Sequence, residues 1–101
     1  MINSGKWLLI VDSPIGKIKA TLNLEMKENV LVGTISTQLD ISTPLSEIKH
    51  SNNEFNFSAT VNSPMGGVVK IETRLTKDSE GFTGIVRSPY GSFPAVLTEN
   101  K

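Results

Sequence analysis

The chain of 101 residues holds one histidine, one tyrosine and one tryptophan, and no cysteine. His50 is therefore the single side chain whose ordinary titration suits acid–base work near neutral pH. A base needs an oriented partner within hydrogen-bond reach. His50 instead closes the run Ile48-Lys49-His50-Ser51-Asn52, which reads as a strand end entering a polar, solvated turn. One histidine without cysteine does not make a zinc site of the usual ligands. The acids Asp12, Glu25, Asp40, Glu47, Glu54, Glu72, Asp78, Glu80 and Glu99 fall mostly at outward or turn positions. They offer no carboxylate pair for hydrolysis. No glycine-rich loop opens a helix, so no phosphate cradle is built either. The residues assign no catalytic group, no metal and no cofactor, and lean away from an enzyme.

The elements that would have to position such groups are strands. Ile18, Ala20, Leu22, Leu24 and Met26 alternate with Lys17, Lys19, Thr21, Asn23 and Glu25. Phe55, Phe57, Ala59 and Val61 alternate with polar neighbours, as do Val69, Ile71, Thr73 and Leu75. A period of two sends one set of side chains to a core and the other to water. The pattern predicts eight strands near 6–12, 17–26, 30–37, 45–50, 54–62, 67–76, 82–88 and 92–98. Their links are short, so sequential strands pair as an antiparallel meander. The expected fold class is all-β: one domain over residues 1–101, an eight-stranded up-and-down β-barrel. A two-sheet sandwich is the alternative. Closure is favoured because it removes exposed edges, and only the last strand, with Pro94, looks guarded as an edge.

The expected inward set is Trp7, Leu9, Val11, Ile18, Ala20, Leu22, Leu24, Leu31, Ile35, Ile48, Phe55, Phe57, Val61, Val69, Ile71, Leu75, Phe82, Val86 and Leu97. It is almost wholly apolar. A barrel of this size is filled by side chains or holds one small ligand. For so short a chain the expectation is a mostly filled barrel with at most a shallow pocket. Gly33 in "LVGTI" and Gly84 in "FTGIV" share one spacing and are expected on the inward face, where strands bend or approach closely.

One turn is written three times: Ser13-Pro14-Ile15-Gly16, Ser63-Pro64-Met65-Gly66 and Ser88-Pro89-Tyr90-Gly91. Proline presets φ for the second turn position, serine bonds the turn backbone, and glycine supplies the positive φ that re-enters the next strand. In a meander all three turns belong to one rim, with the link "ISTPL" (41–45) as the fourth connection there. The opposite rim carries "KEN", "SNN" and "KDSEG". Ile15, Met65 and Tyr90 are bulky apolar groups on hairpin tips, with Phe93 nearby. Such tips are normally polar. They plug the barrel end, form a patch for a partner, or border a ligand mouth.

Formal net charge is zero, against a general nucleic-acid binder. The longest apolar run, Trp7 to Val11, is too short to span a membrane. It lacks the small-residue cleavage site of a signal peptide, which favours the cytoplasm.

Gly5-Lys6-Trp7 resembles the Gly-x-Trp that opens the first strand in lipocalins, avidins and other calycin-like barrels. That resemblance implies that Trp7 closes one barrel end, covered by a basic residue from the end of the last strand; Lys101 is the candidate here. Over nearly the whole chain, Gly-x-Trp, the repeated turns, Leu31-x-Gly33-x-Ile35 and Gly91-Ser92-Phe93-Pro94 look like a group of small uncharacterised bacterial β-barrel proteins. It implies the fold and carries no activity with it. The functional expectation is non-enzymatic binding of a small apolar or aromatic molecule at the Ser-Pro-x-Gly rim, by Trp7, Ile15, Met65, Tyr90 and Phe93. The alternative is an interaction module that pairs with itself or with an enzyme subunit through that rim. An enzyme using Tyr90 and His50 comes third, since the two fall at opposite ends.

Overall fold

The computed structural model describes residues 4–37, 42–62 and 67–99. The second Ser-Pro-x-Gly turn, with Met65, and Lys101 lie outside the described residues. The strands are β1 (Gly5–Ser13), β2 (Gly16–Lys27), β3 (Val30–Ser36), β4 (Ser42–Pro44), β5 (Ser46–His50), β6 (Glu54–Asn62), β7 (Val68–Lys77), β8 (Phe82–Ser88) and β9 (Gly91–Glu99). They form one antiparallel sheet in the order β4-β3-β2-β1-β9-β8-β7-β6-β5. The two outermost strands are consecutive in the chain and separated by Leu45 alone. The Leu45 N–H donates to the Gly33 carbonyl at 2.9 Å. The up-and-down sheet thus comes nearly round on itself as a barrel.

Among the described residues nine strands replace the eight expected, because the fourth is divided. Its first part, Ser42–Pro44, pairs with β3, where the sequence suggested a long connection. Its second part pairs with β6, with a register shift between Ser46 and Lys49 and a positive φ of 52° at Glu47. An extra residue in one strand bends it and increases local twist. One stretch of chain can then face β3 at one end and β6 at the other. Pro94 is not on an edge either. Strand β9 lies between β1 and β8, and its pairing with β1 stops at Val11–Ala95, one residue short of Pro94. A ring without an N–H has nothing to donate beyond that point.

Every member of the expected inward set is buried or half-buried. Ala59, Ala95 and the half-buried Leu45 and Phe93 join it. Gly33 and Gly84 sit where neighbouring chain leaves no room. A Cβ at Gly84 would meet the Arg74 carbonyl oxygen at 1.9 Å, and one at Gly33 would meet Asn23 O at 2.7 Å.

The core is filled unevenly along the barrel axis. Trp7, Phe55, Phe57 and Phe82 all lie toward the end formed by the turns at 28–29, 51–53 and 78–81. Trp7 meets Phe82 edge-on, with ring centroids 5.9 Å apart and planes at 65°. Phe55 lies 5.4 Å from Phe57 and 6.3 Å from Phe82. Leu22, Leu24, Leu31, Leu75 and Leu97 complete this packed half. Toward the Ser-Pro-x-Gly end the inward residues are shorter: Val11, Ile18, Ala20, Ala59, Val61, Val69, Ile71, Val86 and Ala95.

Candidate functional site

The two described Ser-Pro-x-Gly turns behave as their residue types require. Ser13 pairs across to Gly16, and Ser88 to Gly91. The Ser13 hydroxyl donates to the Gly16 carbonyl at 2.6 Å, and Ser88 Oγ to the Gly91 carbonyl at 3.2 Å. Ser88 Oγ also accepts from the Tyr90 N–H at 3.1 Å. Gly16 and Gly91 have φ of 113° and 129°, a region open to glycine and strained for side chains. Each turn holds its strands in two-residue hairpin register and lifts one bulky group, Ile15 or Tyr90, to the tip.

Between these hairpins and β6–β7 the short inward residues leave space. A cavity of about 220 Å³ opens at this end. Its wall is aliphatic: Leu9, Val11, Ile18, Ala20, Ile35, Val61, Val69, Ile71 and Val86. Phe93, Tyr90, Ser13, Ser88, Thr37 and Asn62 border it toward the rim. Lys19 is the one bordering residue, among those described, that is charged at neutral pH, and it occupies an exposed outward position of β2. The sequence predicted a mostly filled barrel with at most a shallow pocket. The half holding Trp7, Phe55, Phe57 and Phe82 is filled, and the opposite half holds a cavity open at the rim.

The expected site residues divide between the two ends. Tyr90 and half-buried Phe93 border the cavity. Ile15 stands at the same rim, 59% exposed. Met65 falls outside the described residues. Trp7 does not join them. It is 5% exposed, pairs with Leu22 and Glu99, and packs on Phe82 at the far end. As the third residue of β1, a strand that ends at the Ser13 turn, it must lie at the end away from that turn. Ile15 and Tyr90 (48%) are both exposed at this end, Tyr90 with part of its surface on the cavity.

The aliphatic wall residues all belong to the expected inward set, which the sequence left as either a dry core or the lining of a small-ligand site, and none of them was among the expected site residues. The signal was their size: Val, Ile and Ala cluster at one end of the strands and Phe, Trp and Leu at the other.

His50 pairs with Phe55 at the end opposite Tyr90. It is half-buried rather than solvated, and its Nδ1 is buried without a hydrogen-bond partner. Among the described residues no acid therefore orients the ring through Nδ1. Among the described residues no cluster of three metal-ligating side chains occurs. A depression of about 420 Å³ crosses the outside of β5–β7 among Glu47, Lys49, Glu54, Glu72 and Arg74. It is open to water, and the Lys70–Glu47 pair near it, at 3.1 Å, is exposed. Exposed pairs of this kind contribute little. Among the described residues no helix is long and apolar enough to cross a membrane.

No protein-family model matches the chain, and no curated protein or solved structure matches it significantly.

Proposed function

We propose that this barrel is a non-enzymatic binding protein that takes a small apolar or aromatic molecule at its Ser-Pro-x-Gly end. The observation that carries the reading is the apolar cavity of about 220 Å³ at that end, bordered by Tyr90 and Phe93. Concave apolar sites with a few polar groups at the mouth are the common form of small-molecule sites. A core filled at one end and short of side-chain volume at the other gives a ligand a closed floor and an open mouth.

A second reading rests on a separate observation. Ile15, Val68 and Tyr90 are 59%, 66% and 48% exposed around the same rim. Apolar groups gathered on hairpin tips suit a protein partner or a second copy. The two readings separate in native mass spectrometry of gently purified protein. A monomer carrying retained small-molecule mass supports binding. A clean dimer or larger assembly without added mass supports the interaction module. A bare monomer that no apolar probe stabilises against heat would sink the binding proposal.

A further inference from the structure

Resting on that binding reading, we infer that the ligand class is narrow: an uncharged molecule of one or two rings, with at most one neutral hydrogen-bonding group. Long acyl chains and ions are excluded.

Size comes first. A dry cavity of about 150 Å³ walled by aliphatic and aromatic side chains accepts benzene. Sites for drug-sized ligands run from about 300 Å³ upward. A cavity of about 220 Å³ falls between the two, room for a substituted ring or two fused rings.

The wall also resists enlargement. Val11, Ile18, Ile35, Val61, Val69, Ile71 and Val86 are all β-branched. Two heavy atoms on Cβ restrict χ1, so such side chains swing aside less readily than Leu or Met. Val11, Ile35 and Val86 sit in strands paired on both sides, and Ile18, Val61, Val69 and Ile71 are each held by a paired strand on one side. Below the cavity the fully buried Leu22, Leu97, Phe57 and Leu75 leave no continuation for a chain. A pre-formed rigid wall rejects surplus methylenes, each worth about tenfold or more in affinity.

Charge is excluded by the same wall. Among the described residues the wall itself is apolar, and Lys19, the charged residue that borders it, occupies an exposed outward position; an unpaired ion in apolar surroundings is strongly disfavoured. The neutral groups at the rim are chiefly already committed to the turns, since both Ser13 and Ser88 donate to glycine carbonyls. Asn62 borders the cavity and can meet one neutral polar group of a ligand.

Calorimetric titration of the full chain with defined probes tests this. Benzyl alcohol and 2-naphthol fit in size and charge. Benzoate and benzylammonium have the shape of benzyl alcohol but carry charge. Dodecan-1-ol is neutral and too long. The expected result is binding of both neutral ring compounds at least tenfold tighter than the other three. Two lining variants, Ala20→Leu and Val69→Phe, fill the cavity and should lower ring affinity at least tenfold with no loss of thermal stability. If Ala20→Leu does not fold, Val69→Phe decides, because its site is already half-buried. Dodecan-1-ol binding as tightly as 2-naphthol would overturn the size limit and leave the binding reading standing. Benzoate or benzylammonium matching benzyl alcohol would overturn neutrality in the same way. No binding by any probe would overturn both.

Discussion

Trp7 and Tyr90 stand at opposite ends of one barrel: Trp7 packs edge-on against Phe82 at 5.9 Å beneath the polar turns, while Tyr90 borders the apolar cavity under the Ser-Pro turns. Structure is held at the first end and space is left at the second. Substitutions at the two ends should therefore have separable effects.

Phe82→Ala and Trp7→Ala should each destabilise the fold by about 3–5 kcal/mol, the cost of emptying a large aromatic site in a packed core. Urea unfolding followed by circular dichroism reads this. A loss under ~1 kcal/mol at either position would mean that the aromatic cluster is not the stabilising centre.

Tyr90→Ala and Ile15→Ala should change stability by no more than about 0.5 kcal/mol, because both groups are largely exposed. Under the binding reading Tyr90→Ala lowers affinity for 2-naphthol while the protein stays monomeric. Under the interaction reading both substitutions reduce assembly size in analytical ultracentrifugation. A large stability loss from either would mean that the tips pack inward after all.

Thr73→Val should stabilise the protein by about 1 kcal/mol. Thr73 is 1% exposed, and its Oγ1 has no hydrogen-bond partner. A buried hydroxyl without a partner keeps its desolvation penalty, which an apolar side chain of similar shape avoids. Destabilisation by Val would show that the hydroxyl is satisfied, for instance by an internal water.

Gly84→Ala should destabilise by about 3 kcal/mol or more, since its Cβ would fall 1.9 Å from the Arg74 carbonyl oxygen and β7 would have to move. Gly91→Val tests the turn instead. At φ 129° it should cost about 1–3 kcal/mol through backbone strain. If both variants unfold at the parent's urea midpoint, the strand packing described here is wrong.

Much of the fold was legible because a strand reports its own burial locally. Alternation from Ile18 to Leu24 and from Phe55 to Val61 names the inward side chains without knowledge of any neighbour. The turn chemistry was equally local. Pro14 with Gly16 and Pro89 with Gly91 set their own dihedral angles, and short links then fixed which strands pair. That was enough for the antiparallel order and for placing His50 away from Tyr90.

The far-end place of Trp7 was legible too, although its type grouped it with the rim residues, since β1 runs away from it toward the Ser13 turn. Two things depended on distant chain and were decided only in the tertiary structure. The division of residues 42–50 at Leu45 arises because one segment must satisfy β3 and β6, strands far apart in sequence. The cavity exists because Val, Ile and Ala from six strands meet at one height of the barrel, while the rings of Trp7, Phe55, Phe57 and Phe82 meet at the other. Alternation states that a side chain faces inward. Whether the inside is full is a sum over neighbours across the barrel, and that sum is set only when the sheet comes round on itself.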